Sequence, residues 1–362
     1  MRRVDAASKS LSTRCNQEGA MTTNELLLTL SGAAGVSGAE NGARDAARRL
    51  LEPLGPCETA ALGSLVCRVR PVPESGAHLL LTAHMDSIGM IVTFIDDNGF
   101  LRVAGCGGVD RAALPAAQVT VHTASGALPG VVCTVPPHLT EDDGVLPKVD
   151  EISVDVGLAA EAARAQIAPG DRITFDCTPF TTPSGLVCSR ALDDRAGCAA
   201  VILAAQKLAR QPLACGLSVA LTVMEEVGGQ GARTAANLLA PTHAVAVDVS
   251  FGHTPDAPRP KCGVMGEGPM IGVSPILDHT MFEGMKACAK RHSIDFQVEV
   301  MGGNTGTDVD GVAVAGAGVR CALVSIPLRY MHTPAELIDA RDVEQTAALI
   351  AAYVTDEFGG AR

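Results

Sequence analysis

Three runs of strand length in this chain are apolar along most of their extent, and each delivers a side chain able to hold a metal or a proton. Leu79 to Thr82 runs into Ala83-His84-Met85-Asp86, Ser218 to Met224 (SVALTVM) runs into Glu225-Glu226, and His243 to Val249 carries Asp248 near its end. A strand of this kind is buried on both faces, which restricts the fold to a sheet with helices above and below it. Helical segments separate the runs: Gly197 to Leu208, Gly231 to Leu239, Asp278 to Arg291 and Val343 to Phe358, with further strands at Phe296 to Val300 and Arg320 to Ile326. The alternation predicts an α/β domain on a mainly parallel or mixed sheet. Its sites then lie beyond the strand ends.

Between Met90 and Pro179 the texture changes. MIVTFIDDNGFLRV places two apolar stretches around Asn98-Gly99, a hairpin signal, and short strands follow at Val119 to His122, Gly130 to Val135, Ile152 to Val156 and Ile173 to Phe175. Residues 90–179 therefore read as a small β-rich module inserted into a domain formed by residues 21–89 and 180–362. Ahead of it, Leu26 to Leu30 suggest a short helix, Ala39 to Leu51 a second one stopped by Pro53, and Val66 and Val69 a strand. Residues 1–20 carry Arg2, Arg3, Lys9 and Arg14 without an apolar stretch, so they read as a disordered extension rather than a secretory signal.

Several function classes lack support. A net charge of -12 repels phosphate backbones, and 3% aromatic content with no tryptophan offers no base-stacking surface, so no nucleic-acid partner is expected. No apolar run reaches membrane-spanning length, which predicts a soluble chain with no membrane partner. The twelve cysteines stand singly, without a CxxC, as small buried hydrophobes in a reducing cytoplasm do.

The candidate site is a set of five ligand-type residues: His84, Asp193 in the loop SRALDDRAG, Glu226, Asp248 and His332. Imidazole with carboxylate suits Zn, Co or Mn, and the set is too large for one tetrahedral ion; two ions sharing one carboxylate use all of it. Asp86, two residues past His84, is placed to orient that imidazole. Of the adjacent pair at 225 and 226, one acid can hold a metal while the other takes a proton, because neighbouring strand-end residues point in different directions. Simpler roles compete. Asp193 also suits the N-cap of the Gly197 to Leu208 helix, Asp194 and Arg195 read as structural partners, and Glu336 is spaced for a capping box at a helix opening on Thr333-Pro334. Among the other histidines, His253 is the one that could be taken for a ligand.

AHMDSIG, ALDDRAG, MEEVGGQGA, AVAVDVS, TGTDVDG and IPLRYMHTP occur in that order. Together they resemble the co-catalytic dimetal aminopeptidases of clan MH, family forty-two, the tetrahedral aminopeptidases that include glutamyl and deblocking enzymes. The similarity runs from about Met21 to Phe358. It implies a phosphorylase/hydrolase-like α/β domain interrupted by a β-barrel dimerisation domain, with dimers assembling into dodecamers. It also implies that Asp193 bridges two divalent ions, Zn or Co with Mn as a further choice, with His84 and Asp248 completing one site and Glu226 and His332 the other. Glu225 is then the general base, Asp86 the orienting acid, and Asp193-Asp194 a cis peptide. The implied reaction is release of N-terminal residues from peptides with a free N-terminus; a deacylase or amidase of small N-acyl compounds, or a silent assembly scaffold, are the rival readings. Ser87, Asn304-Thr305 and Asp310 depart from the family's usual residues.

Overall fold

In the computed structural model, residues 21–74, 76–139 and 146–360 are described. The extension expected over residues 1–20 and most of the acidic loop LTEDDGVLP lie outside them.

Eleven strands form one mixed sheet. Four at its centre, Gly216–Thr222, His78–His84, His243–Phe251 and Arg320–Arg329, lie side by side in that order and all run parallel. Their carboxyl ends therefore open on one edge of the sheet. His78–His84 sits between two strands that come much later in the chain, the kind of crossover where α/β sheets leave a crevice.

The alternation along these strands separates two cores. Leu79, Leu81, Val219, Leu221, Val245 and Val247 face one layer, packed with the helices Leu192–Leu208 and Ala340–Phe358. Leu80, Ala220, Ala244 and Ala246 face the other, where Ala232, Ala235 and Ala236 of the helix Gln230–Leu239 lie against them. Small residues on both sides let that helix approach closely. By the same period of two, His84 and Asp248 continue the face of Leu80 and Ala246, so strand pleat alone directs both ligand-type side chains to one side.

The second body is a closed six-stranded barrel of Gly89–Ile95, Leu101–Cys106, Ser153–Asp155, Gly126–Val132, Gln118–Thr123 and Arg172–Phe175. The first two pair antiparallel across the Asn98-Gly99 turn, where Gly99 has φ 93°. Inward residues such as Met90, Val103, Val119, Val121 and Ile173 fill it. A short helix, Ala160–Gln166, closes one part of this core through Ala163; its alanine-rich sequence favours a helix, which the reading of residues 90–179 as β-rich left out. No helix among the described residues is long and apolar enough to cross a membrane.

Candidate active site

Asp193 stands at the centre of the site. It follows the strand Leu186–Ser189, and the backbone at Asp193 and Asp194 is non-helical, a kink ahead of the regular part of the helix Leu192–Leu208. The peptide between the two aspartates is cis. The cap position falls on Asp194, not Asp193: Gly197 N donates to Asp194 Oδ1 at 2.9 Å. That leaves both oxygens of Asp193 free for the cleft. His84 Nε2 lies 3.1 Å from Oδ1, and His332 Nε2 lies 3.3 Å from Oδ2.

The remaining members divide between these two imidazoles. Asp248 Oδ1 is 3.8 Å from His84 Nε2, and Glu226 Oε2 is 3.5 Å from His332 Nε2. The strand before the glutamates ends at Thr222 rather than Met224, and Met224 adopts φ 62°, a left-handed conformation that turns the chain sharply out of the sheet. His332 has φ 63° as well. Two non-glycine residues in that region flank the site, each a cost of about 1–3 kcal/mol that surrounding contacts must hold.

Asp86 supplies part of that hold. Its Oδ1 accepts from Glu225 N at 3.0 Å and its Oδ2 from Glu226 N at 3.3 Å and Ser37 Oγ at 2.7 Å, while His84 Nδ1 lies 3.5 Å from Oδ1. Asp86 thus fixes the imidazole, chiefly through its carbonyl oxygen 3.1 Å from His84 Nδ1, while its carboxylate holds the turn bearing the two glutamates. Glu226 points inward, its side chain 4% exposed, whereas Glu225 is 17% exposed toward the cleft with Oε2 3.9 Å from His84 Nε2.

Glu336 plays a similar part and is a correction to the sequence reading. No helix opens at Thr333-Pro334; a turn leads into the strand Glu336–Asp339. The Glu336 carboxylate is buried and accepts from Asp193 N at 3.0 Å and His332 N at 3.1 Å, joining the backbone of Asp193 to that of His332. His253 takes no part: its backbone pairs with Gly263 and Arg329, and it does not line the cleft.

The electrostatics fit divalent cations. Burial pushes the carboxyls of Asp248 and Glu226 well above their ordinary values, and the charge on Asp193 adds to it. Burial raises Glu225 also. Asp193 and Asp86 go down instead: burial opposes the charge on each, but hydrogen bonds from His332 and His84 outweigh it at Asp193, and the His84 imidazole and Ser37 do so at Asp86. Burial likewise opposes a charge on His84, and its hydrogen bonds to Asp193 and Asp86 overcome it and raise the imidazole. Acids therefore outnumber the cations available to them, and Glu226 Oε1 is buried with no partner at all. Such a donor set is costly without positive charge and suits it well. Two groupings close enough to share an ion lie here, His84-Asp193-Glu226 and His84-Asp194-Asp248. Asp194 is already committed to the backbone, with Oδ2 accepting from His84 N at 3.3 Å and Oδ1 from Gly197 N, so Asp193 is the better ligand. A third grouping, Cys288-His292-Asp356, lies on outer helices, where Arg291 already pairs with Asp356.

Beneath the site, Asp308 of the TGTDVDG segment is buried, accepts from Thr82 and Thr222, and keeps Oδ1 unpartnered. Burial pushes its carboxyl up to about 7 from an ordinary 3.8. An acid raised in the folded state favours folding at low pH, and that contribution is lost as pH rises through about 7. The difference is on the order of 4 kcal/mol. Metal-stripped protein should therefore lose stability between about pH 4 and pH 8, and Asp308→Asn should remove that part of the slope. Denaturant titrations at several pH values check it, and equal slopes in the two proteins would rule it out.

The cleft above these groups has a volume of about 430 Å³, and Ser250, Phe251, Glu299, Met301, Leu323 and Ser325 extend it away from His84.

Known proteins resemble this chain over most of its length. The family model described as M42 glutamyl aminopeptidase matches residues 63–349. A lysyl aminopeptidase of Pyrococcus furiosus is 33% identical over 346 residues, covering 92% of this chain and 96% of its own length. Among solved structures, the aminopeptidase APDkam598 from the archaeon Desulfurococcus kamchatkensis superposes with a TM-score of 0.86 at 29% identity, covering 93% of this chain and 95% of that one. The TET1 peptidase of Pyrococcus horikoshii, described as able to assemble into a tetrahedron or a large octahedral shell, gives 0.81 at 30% identity over 92% and 99%. With a family match across most of its length and relatives alike from end to end, the chain belongs to the M42 glutamyl aminopeptidase family.

Proposed function

We propose that this chain is a metal-dependent aminopeptidase that removes N-terminal residues from peptides, with two divalent ions, Zn or Co foremost and Mn as a third choice, held around Asp193. One observation carries the reading: two imidazoles from distant parts of the chain meet the two oxygens of a single carboxylate, with Glu225 beside them at the cleft. His84 and Asp248 would hold one ion and Glu226 and His332 the other, with Asp193 shared between them. The ions, when bound, make a water acidic enough to ionise near neutral pH and stabilise charge on the carbonyl oxygen. Glu225 takes the proton from the attacking water and returns it to the leaving amine, a role that its burial-raised carboxyl suits. Asp86 keeps the His84 ring and the Glu225 backbone in register through the bonds described above.

The division at residues 90 and 179 belongs to the same proposal, with the barrel as the self-association module. Phe94, Val131, Val135, Leu139 and Leu146 are exposed on or beside it, more apolar surface than a solitary barrel needs. The tetrahedron or octahedral shell of the Pyrococcus horikoshii relative supports self-association here, which we take to run from dimer to dodecamer. Every cysteine among the described residues is free, in keeping with a cytoplasmic site of action.

The test is a panel of aminoacyl p-nitroanilides. Chelator-treated protein should hydrolyse none, and Zn, Co or Mn should restore cleavage of free-amine substrates while N-acetylated ones resist. Cleavage of the N-acylated set alone would point to a deacylase, and fully loaded protein that cleaves no amide would leave only the scaffold.

A further inference from the structure

Glu299 lies on the strand Gln297–Val300 and has no part in the ligand set, yet it forms part of the cleft wall. Its carboxylate is held by two serines, Oε1 accepting from Ser250 Oγ and Oε2 from Ser325 Oγ at 2.6 Å. Both serines are tied to the metal end of the cleft by strand geometry. Ser250 is two residues past Asp248 and so shares its face, and Ser325 is the register partner of Asp248 on the adjacent parallel strand. Glu299 is thus a fixed acid in the wall of the same cleft that Asp193 lines.

The wall around it selects further. Met301, Leu323 and Phe251 line the same part of the cleft and suit an aliphatic stem. No lysine or arginine is among the described residues lining the cleft, whose charged members besides the imidazoles are all carboxylates. An acidic side chain there meets only like charge. Two serine donors leave lone pairs on both Glu299 oxygens, so the group can accept further hydrogen bonds from a cation without giving up its anchors.

From this we infer that Glu299 is the specificity-determining residue of an N-terminal side-chain subsite that takes lysine or arginine. The inference rests on the aminopeptidase reading and names its substrate class. The methylenes of the substrate side chain lie along Met301 and Leu323, and the ammonium or guanidinium ends on Glu299. The subsite also runs against the glutamyl preference in the family's description.

The experiment compares lysyl, arginyl, leucyl and glutamyl p-nitroanilides on metal-loaded wild type and on Glu299→Gln. Wild type should favour the basic pair in kcat/KM. In Glu299→Gln the lysine-over-leucine ratio should fall roughly ten- to hundredfold, the range for losing a hydrogen bond to a charged group. Ser325→Ala, which frees one side of the carboxylate, should move the ratio the same way by less and covers the case in which the first variant does not fold. A wild type that prefers the glutamyl substrate overturns the inference. So does a Glu299→Gln that slows all substrates equally, which would put Glu299 on a group common to them such as the α-ammonium. If nothing is turned over, the aminopeptidase reading fails by itself, and calorimetric binding of lysinamide against leucinamide still decides the subsite: tighter lysinamide binding lost in Glu299→Gln upholds it, and equal binding overturns it.

Discussion

Glu225→Gln should lower kcat by about 10²- to 10⁴-fold while leaving metal content unchanged. Glutamine keeps the size and polarity of the side chain but cannot take a proton from water near neutral pH. Glu225 is the partly exposed member of the glutamate pair, and its backbone N–H on Asp86 stays in place after the substitution, so the turn should keep its shape. The paired measurement matters more than the rate alone. Elemental analysis showing full metal with lost turnover separates the proton carrier from the ligands, and near-normal turnover would remove Glu225 from the role.

Asp193→Asn is expected to have the larger effect. Its two oxygens face His84 and His332 at 3.1 and 3.3 Å, so a single substitution disturbs both proposed ion positions at once. An amide offers one oxygen acceptor in place of two, and it removes the charge against which both imidazoles are balanced. Metal content should fall from two ions per chain toward none, and hydrolysis should fall to background even with added Zn or Co. The stability comparison belongs on metal-stripped protein, where removing one partner of a buried charged pair costs about 3–5 kcal/mol. A variant that still binds both ions would show that the carboxylate is not shared.

Much of this was readable in the chain because strand ends carry their own signal. An apolar run that stops on His84 or contains Asp248 marks a side chain that cannot stay unpartnered, and the period of two then says which face it occupies. The α/β class and the barrel hairpin followed from the same patterns. What escaped depends on contacts between segments far apart in sequence. Glu336 looked like a helix cap because ordinary spacing puts Thr333 three residues ahead of it, and only the fold brings the backbone of Asp193 to its carboxylate. Asp308 was one acid in a glycine-rich loop until the strands bearing Thr82 and Thr222 closed over it. The competing cap role of Asp193 falls to its neighbour for a local reason: Asp194 is one residue closer to Gly197, and its carboxylate takes that N–H. Glu299 gave no sign at all, since Gln297–Val300 alternates like any half-exposed strand.

The barrel meets the proposed ligands Glu226 and His332 through Gly107 and Gly108, immediately beyond the strand Leu101–Cys106. A methyl group at Gly107 would come within 3.0 Å of Glu226 Oε2, and one at Gly108 within 2.9 Å of His332 Nδ1. The insertion is therefore not an interchangeable cassette. A chimera carrying a foreign barrel keeps its chemistry only if the graft brings two side-chain-free residues to that seam, and any bulkier junction wedges apart the very pair of side chains assigned to the second ion.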